Sequence, residues 1–347
     1  LPHLLNSIDD SLAAWLEQRG QGAYRAKQIR HWLFARRTGD FQEMTDLGQA
    51  LRNELAADFT LWTTTVVRHT QADDGTEKLL LALADGGQVE CVLLRDEVRR
   101  TICISTQVGC GMGCVFCASG LDGLERNLTT GEIVEQMLRL QRLLQPDERL
   151  SHVVVMGMGE PLANLDNLLP ALEEASCEDG LGISARRITI STVGLPKPMR
   201  RLAEAGARYR LAVSLHAPNE ALRREIVPVG DKISLADILA EADHYFDLSG
   251  RQLTFEYVLL DGINDSPEHG HGLARLLGHR TALVNVIPFN PVSGLPYRTP
   301  STAAQQTFRR ILEDHGLAVR FRHKKGDAID AACGQLRRRT QKETELL

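Results

Sequence analysis

Hydrophobic and polar positions change their period twice along the chain. Through residues 1 to about 60, Trp15, Leu16, Ile29, Trp32, Leu33 and Phe34 recur at helical spacings. That predicts short helices separated by a break at Gly20 to Gly22, with Asp10 or Ser11 capping the first. From 61 to 100 the period shortens. Residues 63–67, 79–83 and 89–94 are apolar-rich runs broken by Asp73-Asp74-Gly75 and Asp85-Gly86-Gly87, the pattern of a small antiparallel meander. It delivers Glu90 and Cys91 near the start of the main domain. From about 101, strand candidates at 101–105, 152–156, 187–191, 211–215, 253–259 and 283–288 alternate with amphipathic stretches such as 130–144 and 165–175. Six alternating units imply an α/β fold with a parallel sheet. No strand carries a dinucleotide-type glycine fingerprint, so a curved partial barrel is preferred to a nucleotide-binding doubly wound sheet. The expected organisation is a helical unit over 1–60, a β extension over 61–100, a barrel core over 101–295 and a C-terminal segment over 296–347.

Composition narrows the class. A length of 347 residues with 43% hydrophobic content supports a sizeable core and about two domains. No long apolar stretch predicts a membrane span and no signal pattern opens the chain, although it begins at Leu1 without a methionine and leaves room for residues before it. Clustered cysteines suit a reducing compartment, so a cytoplasmic monomer is expected. The formal net charge of -5 excludes a globally basic nucleic-acid binder, so RNA contact has to come from local patches. One candidate is the run from Arg25 to Arg37, with five basic residues and no acidic one. Charge runs are usually solvated faces, but the missing acids favour phosphate contact here.

Chemistry concentrates between Cys103 and Cys117, where four of the seven cysteines lie. Cys110, Cys114 and Cys117 have a spacing that could fall on one helix face. Gly109, Gly111 and Gly113 argue instead for a loop folded tightly around a ligand. Structural zinc takes four closed ligands, whereas three thiolates on one loop suit an iron-sulfur cluster with one open iron. Cys110-x-x-x-Cys114-x-x-Cys117, with Phe116 before the last cysteine, resembles the signature of the radical S-adenosylmethionine (SAM) superfamily. The resemblance implies a partial (β/α)6 barrel, a 4Fe-4S cluster and SAM on its fourth iron.

Functional residues of such a sheet gather at C-terminal strand ends. These ends carry Gly157-Met158-Gly159-Glu160-Pro161, Ser191-Thr192, Ser214-Leu215-His216 and Pro288-Phe289-Asn290-Pro291. Glu160 could be a solvent-facing turn residue or the partner of an ammonium, and its place beside the cysteine loop favours the second. His216 alone would read as a satisfied polar group, and its neighbourhood tips it toward the site. Cys333 stands apart, flanked by Arg320, Arg322, Lys324, Lys325, Arg337, Arg338 and Arg339. Nearby positive charge favours a thiolate, so Cys333 is either a buried structural cysteine or, with Cys103, half of a redox or catalytic pair. The pair is the sharper hypothesis. Cys91 and Cys177 read as core or incidental, Cys177 lying among acids that disfavour a thiolate.

Longer motifs make the resemblance closer. Arg25-Ala26-Lys27-Gln28-Ile29, Glu43 to Leu47, Gln107 to Cys117, Arg126 to Thr129, Gly157 to Pro161, Ser214 to Pro218, Phe255 to Asn264 and Asp330 to Leu336 together resemble the RlmN family of bacterial radical SAM RNA methyltransferases. The resemblance implies methylation of carbon 2 of adenosine 2503 in 23S rRNA and of adenosine 37 in tRNA, with two SAM per turnover and an electron donor such as flavodoxin or ferredoxin. Cys110, Cys114 and Cys117 would hold the cluster, and Gly159, Glu160, Ser191, Ser214, Leu215, His216 and Asn290 would contact SAM. Cys333 would carry the methyl group, Cys103 would resolve the adduct by forming a disulfide with it, and Glu90 would accept the proton. Ala328 and Lys325 depart from the usual aspartate and arginine, and Cys91 is unusual beside Glu90.

Three other readings fit parts of the pattern. A Cfr-type relative would methylate carbon 8 of the same adenosine, but Asp330 and the N-terminal unit resemble RlmN more. A glycyl-radical activase would need neither Cys333 nor the basic helix. A non-catalytic iron-sulfur RNA-binding regulator would have no use for the strand-end residues.

Overall fold

The computed structural model describes every residue except 7, 207, 230–232, 279, 323–324 and 337–347, and only the backbone of residues 9 and 10. The apolar runs become twelve strands: β1 Thr65–Gln71, β2 Glu77–Ala82, β3 Gln88–Arg95, β4 Arg100–Cys103, β5 Gln107–Gly109, β6 Leu124–Asn127, β7 His152–Val155, β8 Ile188–Thr192, β9 Arg210–Ser214, β10 Leu253–Leu259, β11 Ala282–Pro288 and β12 Ala318–Phe321. Ten of them form one sheet in the order β1-β2-β3-β4-β7-β8-β9-β10-β11-β12. The first three are an antiparallel meander joined antiparallel to β4. From β4 to β12 every neighbouring pair is parallel. The meander is therefore continuous with the α/β sheet, and its register sets Val92 of β3 opposite Cys103 of β4.

All six expected strand-helix units are present, and a seventh strand follows. The Thr302–Asp314 helix and β12 continue the alternation past residue 296. Pattern reading missed β12 because it has four residues with only half-buried alternate positions. It missed the β5–β6 hairpin for the same reason of length. That hairpin pairs Gln107 with Asn127 and encloses the cysteine loop.

The helices start where their chemistry says they should. Thr129 accepts from the Glu132 amide while Glu132 accepts from the Thr129 amide, a reciprocal cap that begins the Thr130–Gln141 helix. The first helix, Ile8–Gln18, begins earlier than expected, so positions 10 and 11 lie inside its first turn. One continuous apolar core runs from Leu4, Leu12 and Ile29 of the N-terminal unit through Leu79 and Leu93 of the meander to Val284 and Phe308 of the barrel.

Part of the basic run is spent inside the fold. Arg30 is 3% exposed and pairs with Glu174 at 2.8 Å and Asp179 at 3.0 Å, clamping the N-terminal unit onto the Leu165–Ser176 helix. Arg37 donates to the carbonyls of Leu144, Gln145 and Glu148, filling acceptors just past another barrel helix. Arg25, Lys27 and Arg36 remain at least partly exposed. Removing one partner from a buried ion pair strands the other. Arg30→Ala is therefore expected to cost about 2–3 kcal/mol of unfolding free energy by urea titration, whereas Lys27→Ala should change stability by less than about 0.5 kcal/mol.

After β12 the chain turns back across the mouth of the sheet. The Lys325 amine donates to the Arg95 carbonyl at 3.0 Å and pairs with Asp96. Gly326 N donates to Asp74 at 2.9 Å, and Lys78 donates to the Asp330 carbonyl at 3.0 Å. Residues 325–336 thus tie the last strand to the meander at the opposite edge. Gly326 has φ +69, and a Cβ there would meet Thr76 and Ala331 at 2.8 Å, so the crossing needs glycine.

Candidate active site

A cleft of about 880 Å³ opens among the C-terminal strand ends. Val155 at the end of β7 and Met156 after it, Ser191 of β8, Ser214 of β9, Val258 of β10, Ile287 of β11 and Arg322 after β12 all reach it, so the sheet curves around one space. Cys110, Cys114, Cys117, Gly159, Glu160, Ser191, Ser214, His216, Asn290 and Cys333 line it together. Three expected residues do not. Leu215 is fully buried, and its amide donates to the Glu256 carbonyl of the neighbouring strand at 3.1 Å. Cys103 is buried in the barrel interior, close enough to Cys333 to feel its charge. Glu90 lines a neighbouring cavity of about 590 Å³ with Lys78 and Asp330.

The cysteine loop hangs from the β5–β6 hairpin. Gly109 has φ +76 and a Cβ there would strike the Gly123 carbonyl at 2.0 Å, so no other residue closes the hairpin without a shift. Beneath the loop, Phe116, Val193, Ile226, Val227 and Phe289 form a small separate core. Burial pushes the Cys110 thiol up to about 12, and it raises Cys114 and Cys117 as well. Mutual repulsion among the three adds to the rise. Three buried sulfurs that resist ionising alone would be stabilised as thiolates by a cationic iron core.

Arg223 supplies a second sign of fit. It is 1% exposed, donates to the Val193 carbonyl at 2.6 Å and feels the charge of Cys114. Its Nε and Nη1 have no hydrogen-bond partner among the described residues. A buried guanidinium with unused donors beside the loop matches an anionic thiolate-bound cluster. Sequence reading missed it, because Arg223-Arg224 on an amphipathic helix looks like a solvated pair.

Glu160 shows the complementary fit. It is 2% exposed, and burial pushes its carboxyl up to about 7 even though the amides of Val193 and Leu162 donate to it at 2.9 and 3.0 Å. No cation pairs with it among the described residues. A ligand ammonium would supply that cation, which suits the amino end of SAM. Ser191 and Ser214 place their hydroxyls 3.5 Å apart nearby, and the Asn290 side-chain oxygen is buried without a partner. His216 holds φ +61 and accepts from the Val258 amide through Nδ1 at 3.0 Å. Burial, reinforced by Arg223, pulls it down to about 3, so it stays neutral with Nε2 as the donor.

Cys333 sits at the junction of two spaces. The Gly334 carbonyl accepts from the Ala118 amide at 2.8 Å and the Cys333 carbonyl from Asn290 at 3.1 Å, which fixes the loop against the cysteine hairpin. The Arg322 guanidinium donates to the Cys333 sulfur at 2.7 Å. Of the other flanking basic residues, Lys325 is engaged with Asp96, and Lys324 and Arg337 to Arg339 lie outside the described residues. Burial pushes Cys103 up to about 12, with the charge of Cys333 adding and that of Arg322 opposing. Two cysteines far apart in sequence therefore share one electrostatic neighbourhood. Cys91 is fully buried and pushed further up, and Cys177 accepts from Arg30 at 3.1 Å, so neither reaches the cleft.

On the other side of Cys333 a second cavity of about 1190 Å³ runs toward the N-terminal strand ends. Arg99, Arg187, Arg210 and Arg320 line it, with Lys325 paired to Asp96 at its rim. Burial lowers His152 within it, and Arg99, Arg187 and Arg210 lower it further.

The N-terminal unit matches the model of the ribosomal RNA large subunit methyltransferase N-terminal domain over residues 3–61. Residues 104–270 match the radical SAM superfamily. A protein of Rhodopirellula baltica described as "Probable dual-specificity RNA methyltransferase RlmN" is 62% identical over 97% of this chain and 91% of its own length. The chain belongs to the RlmN family. A like-named protein of Symbiobacterium thermophilum is 46% identical over 96% of the chain and 91% of its own length. The crystal structure of a radical SAM methyltransferase from Sphaerobacter thermophilus superposes with a TM-score of 0.94 at 41% identity, covering 97% of this chain and 99% of that one. RlmN membership carries the enzyme class, a SAM-dependent RNA methyltransferase of the radical SAM type with an iron-sulfur cluster. No helix among the described residues is long and apolar enough to cross a membrane.

Proposed function

We propose that this RNA methyltransferase places a methyl group on carbon 2 of adenosine 2503 in 23S rRNA and of adenosine 37 in tRNA, with Cys333 as methyl carrier and Cys103 as resolving thiol. The observation that carries this reading is the position of Cys333, in the wall of both the cysteine-lined cleft and the arginine-lined cavity. Carbon 2 of adenine is electron-poor and its hydrogen very weakly acidic, so displacement on a SAM methyl lacks a nucleophile. The cluster, held by Cys110, Cys114 and Cys117, and SAM, held by Glu160, Ser191, Ser214, His216 and Asn290, supply radical chemistry that avoids this barrier.

The chain's own residues do the rest. Cys333 accepts a methyl from one SAM and presents it to the chemistry of a second. One methyl hydrogen atom is given up to the radical chemistry that the bound cofactors would supply, the carbon joins adenine carbon 2, and the ring returns one electron to those cofactors as a base removes the carbon 2 proton. Glu90 takes that proton role, its buried carboxylate held by Lys78 at 3.0 Å. Cys103 then attacks the Cys333 sulfur and breaks its bond to the carbon on the RNA; that carbon keeps the electron pair and takes a proton to complete the methyl group, and a Cys103–Cys333 disulfide remains. Reduction of that bond each turnover suits a cytoplasmic monomer served by a flavodoxin- or ferredoxin-type electron donor and cellular thiols. Mass spectrometry of RNA treated with purified holoenzyme tests the reading: 2-methyladenosine supports it, and 8-methyladenosine assigns the Cfr-type outcome instead.

RNA entry is assigned to the arginine-lined cavity, because the cleft side is filled by cofactor. Arg99, Arg187, Arg210 and Arg320 make no ion pair among the described residues and are available for phosphates. In Arg187→Glu, Arg210→Glu, RNA affinity should fall at least about tenfold near physiological salt, and the slope of log affinity against log salt should flatten by roughly 1.5. SAM binding without RNA should be unchanged. An unaltered salt slope would remove RNA from this cavity.

A further inference from the structure

Arg322 lies among three ionisable side chains, and methyl transfer as described uses only its contact with Cys333. Its Nη1 donates to the Cys333 sulfur at 2.7 Å and approaches the Met156 sulfur at 3.8 Å. Cys333, Glu256 and Cys103, in that order apart from the cost of burial, stabilise its positive charge. Glu256 projects from β10 into the same cleft, is 4% exposed, and accepts from the Asn285 amide nitrogen at 2.6 Å. It makes no ion pair among the described residues. Burial raises its carboxyl above the ordinary glutamate range, and Arg322 only partly offsets that rise. The guanidinium thus has one partner in contact and a second anionic site close by that it does not yet occupy.

Methylation of Cys333 removes the first partner. The sulfur lone pair forms the new carbon–sulfur bond as the donor's carbon–sulfur bond breaks, any thiol proton leaves to solvent, and the sulfur becomes a thioether. A thioether is a weak acceptor, so a buried guanidinium would lose the partner it now contacts. We propose that Arg322 is a two-position residue, bonded to the Cys333 sulfur before methylation and paired with the Glu256 carboxylate once the sulfur is methylated. Glu256 gives up its proton to solvent as it takes the guanidinium. The exchange frees the methylated side chain from the hydrogen bond that fixes it, so methyl acceptance itself releases Cys333 toward the arginine-lined cavity. Glu256 is a positioning residue in this scheme, and the inference rests on Cys333 being the methyl carrier.

The test compares thermal midpoints of the holoenzyme with Cys333 unmethylated and methylated, occupancy being fixed by peptide mass spectrometry, across a pH series. An unpaired carboxyl with a raised pKa binds its proton more tightly in the folded chain. Its contribution to stability is present at low pH and lost as pH rises through the folded value. Pairing with Arg322 cancels that loss. In wild type and in Glu256→Gln alike, the gap also carries the Cys333 thiol's own titration, which exists only before methylation, so the wild-type gap less the Glu256→Gln gap isolates Glu256. That difference should grow in favour of the methylated form as pH rises above the ordinary glutamate range, and Cys333 should load methyl about tenfold more slowly in Glu256→Gln, with Glu256→Asp restoring part of both. The series stops at about pH 8, below the range in which the raised Cys103 thiol gives up its proton. A difference that does not vary with pH overturns the exchange. Infrared difference spectra of wild type decide if the variant does not fold: loss of a protonated-carboxyl band on methylation supports the exchange, and no loss overturns it. If SAM leaves no methyl on Cys333, mass spectrometry shows before any melting that the carrier reading itself has failed.

Discussion

Cys103→Ala should accumulate a covalent protein–RNA species that wild type does not, visible on a denaturing gel with labelled RNA as an upshifted, nuclease-sensitive band. The variant keeps Cys333, the cleft and the arginine-lined cavity, so it can take up the methyl and join it to adenine. What it lacks is the sulfur near Cys333 that breaks the adduct. Methylated product should fall by more than about a hundredfold, the scale expected when a residue that acts chemically is deleted. Cys333→Ala should give neither product nor adduct, and the double variant should match it. Normal product from Cys103→Ala would remove Cys103 from the mechanism, and an adduct in Cys333→Ala would remove Cys333. Because Cys103 is 9% exposed and small, alanine fits its space, so loss of folding should not obscure the result.

Replacing any one of Cys110, Cys114 or Cys117 by alanine should take anaerobically purified protein from about four irons per chain to nearly none, with the brown colour. Each sulfur faces the same cleft, and burial holds all three thiols above their ordinary range. Two remaining thiolates leave further iron open to solvent and loss. Cys103→Ala and Cys333→Ala should retain their iron, which separates the two thiol sets in one analysis. Iron loss in Cys333→Ala would make it a ligand and end its role as carrier.

Much of the site was legible because parallel-sheet geometry converts sequence order into spatial convergence. Glu160, Ser191, Ser214, His216 and Asn290 are far apart in the chain, yet each follows or ends a strand, and curvature brings those ends to one cleft. The cysteine loop was legible for the opposite reason, since its three thiols are local. Arg223 and Glu256 were not, because an arginine on a helix and a glutamate within a strand reveal nothing until tertiary burial shows which lost their solvent. The basic run hides a division of labour for the same reason. Arg25 to Arg37 is uniform in sequence, but Arg30 and Arg37 spend their charge holding the N-terminal unit to the barrel. Leu215 illustrates the limit of position alone: it stands between two cleft residues with its side chain buried away from them.

Residues 325–336, which cross from β12 to the meander and the cysteine hairpin, also fix the order in which this enzyme can come into being. Synthesis proceeds from the N-terminus, so the hairpin leaves the ribosome with Ala118 still lacking its acceptor on Gly334, and the meander with Asp74 still lacking Gly326. The cysteine loop is made while the wall carrying Cys333 is still untranslated. A chain that stops early would therefore carry the three clustered thiols without the fourth that stands opposite them, and completion of the polypeptide is the event that brings the two sets together.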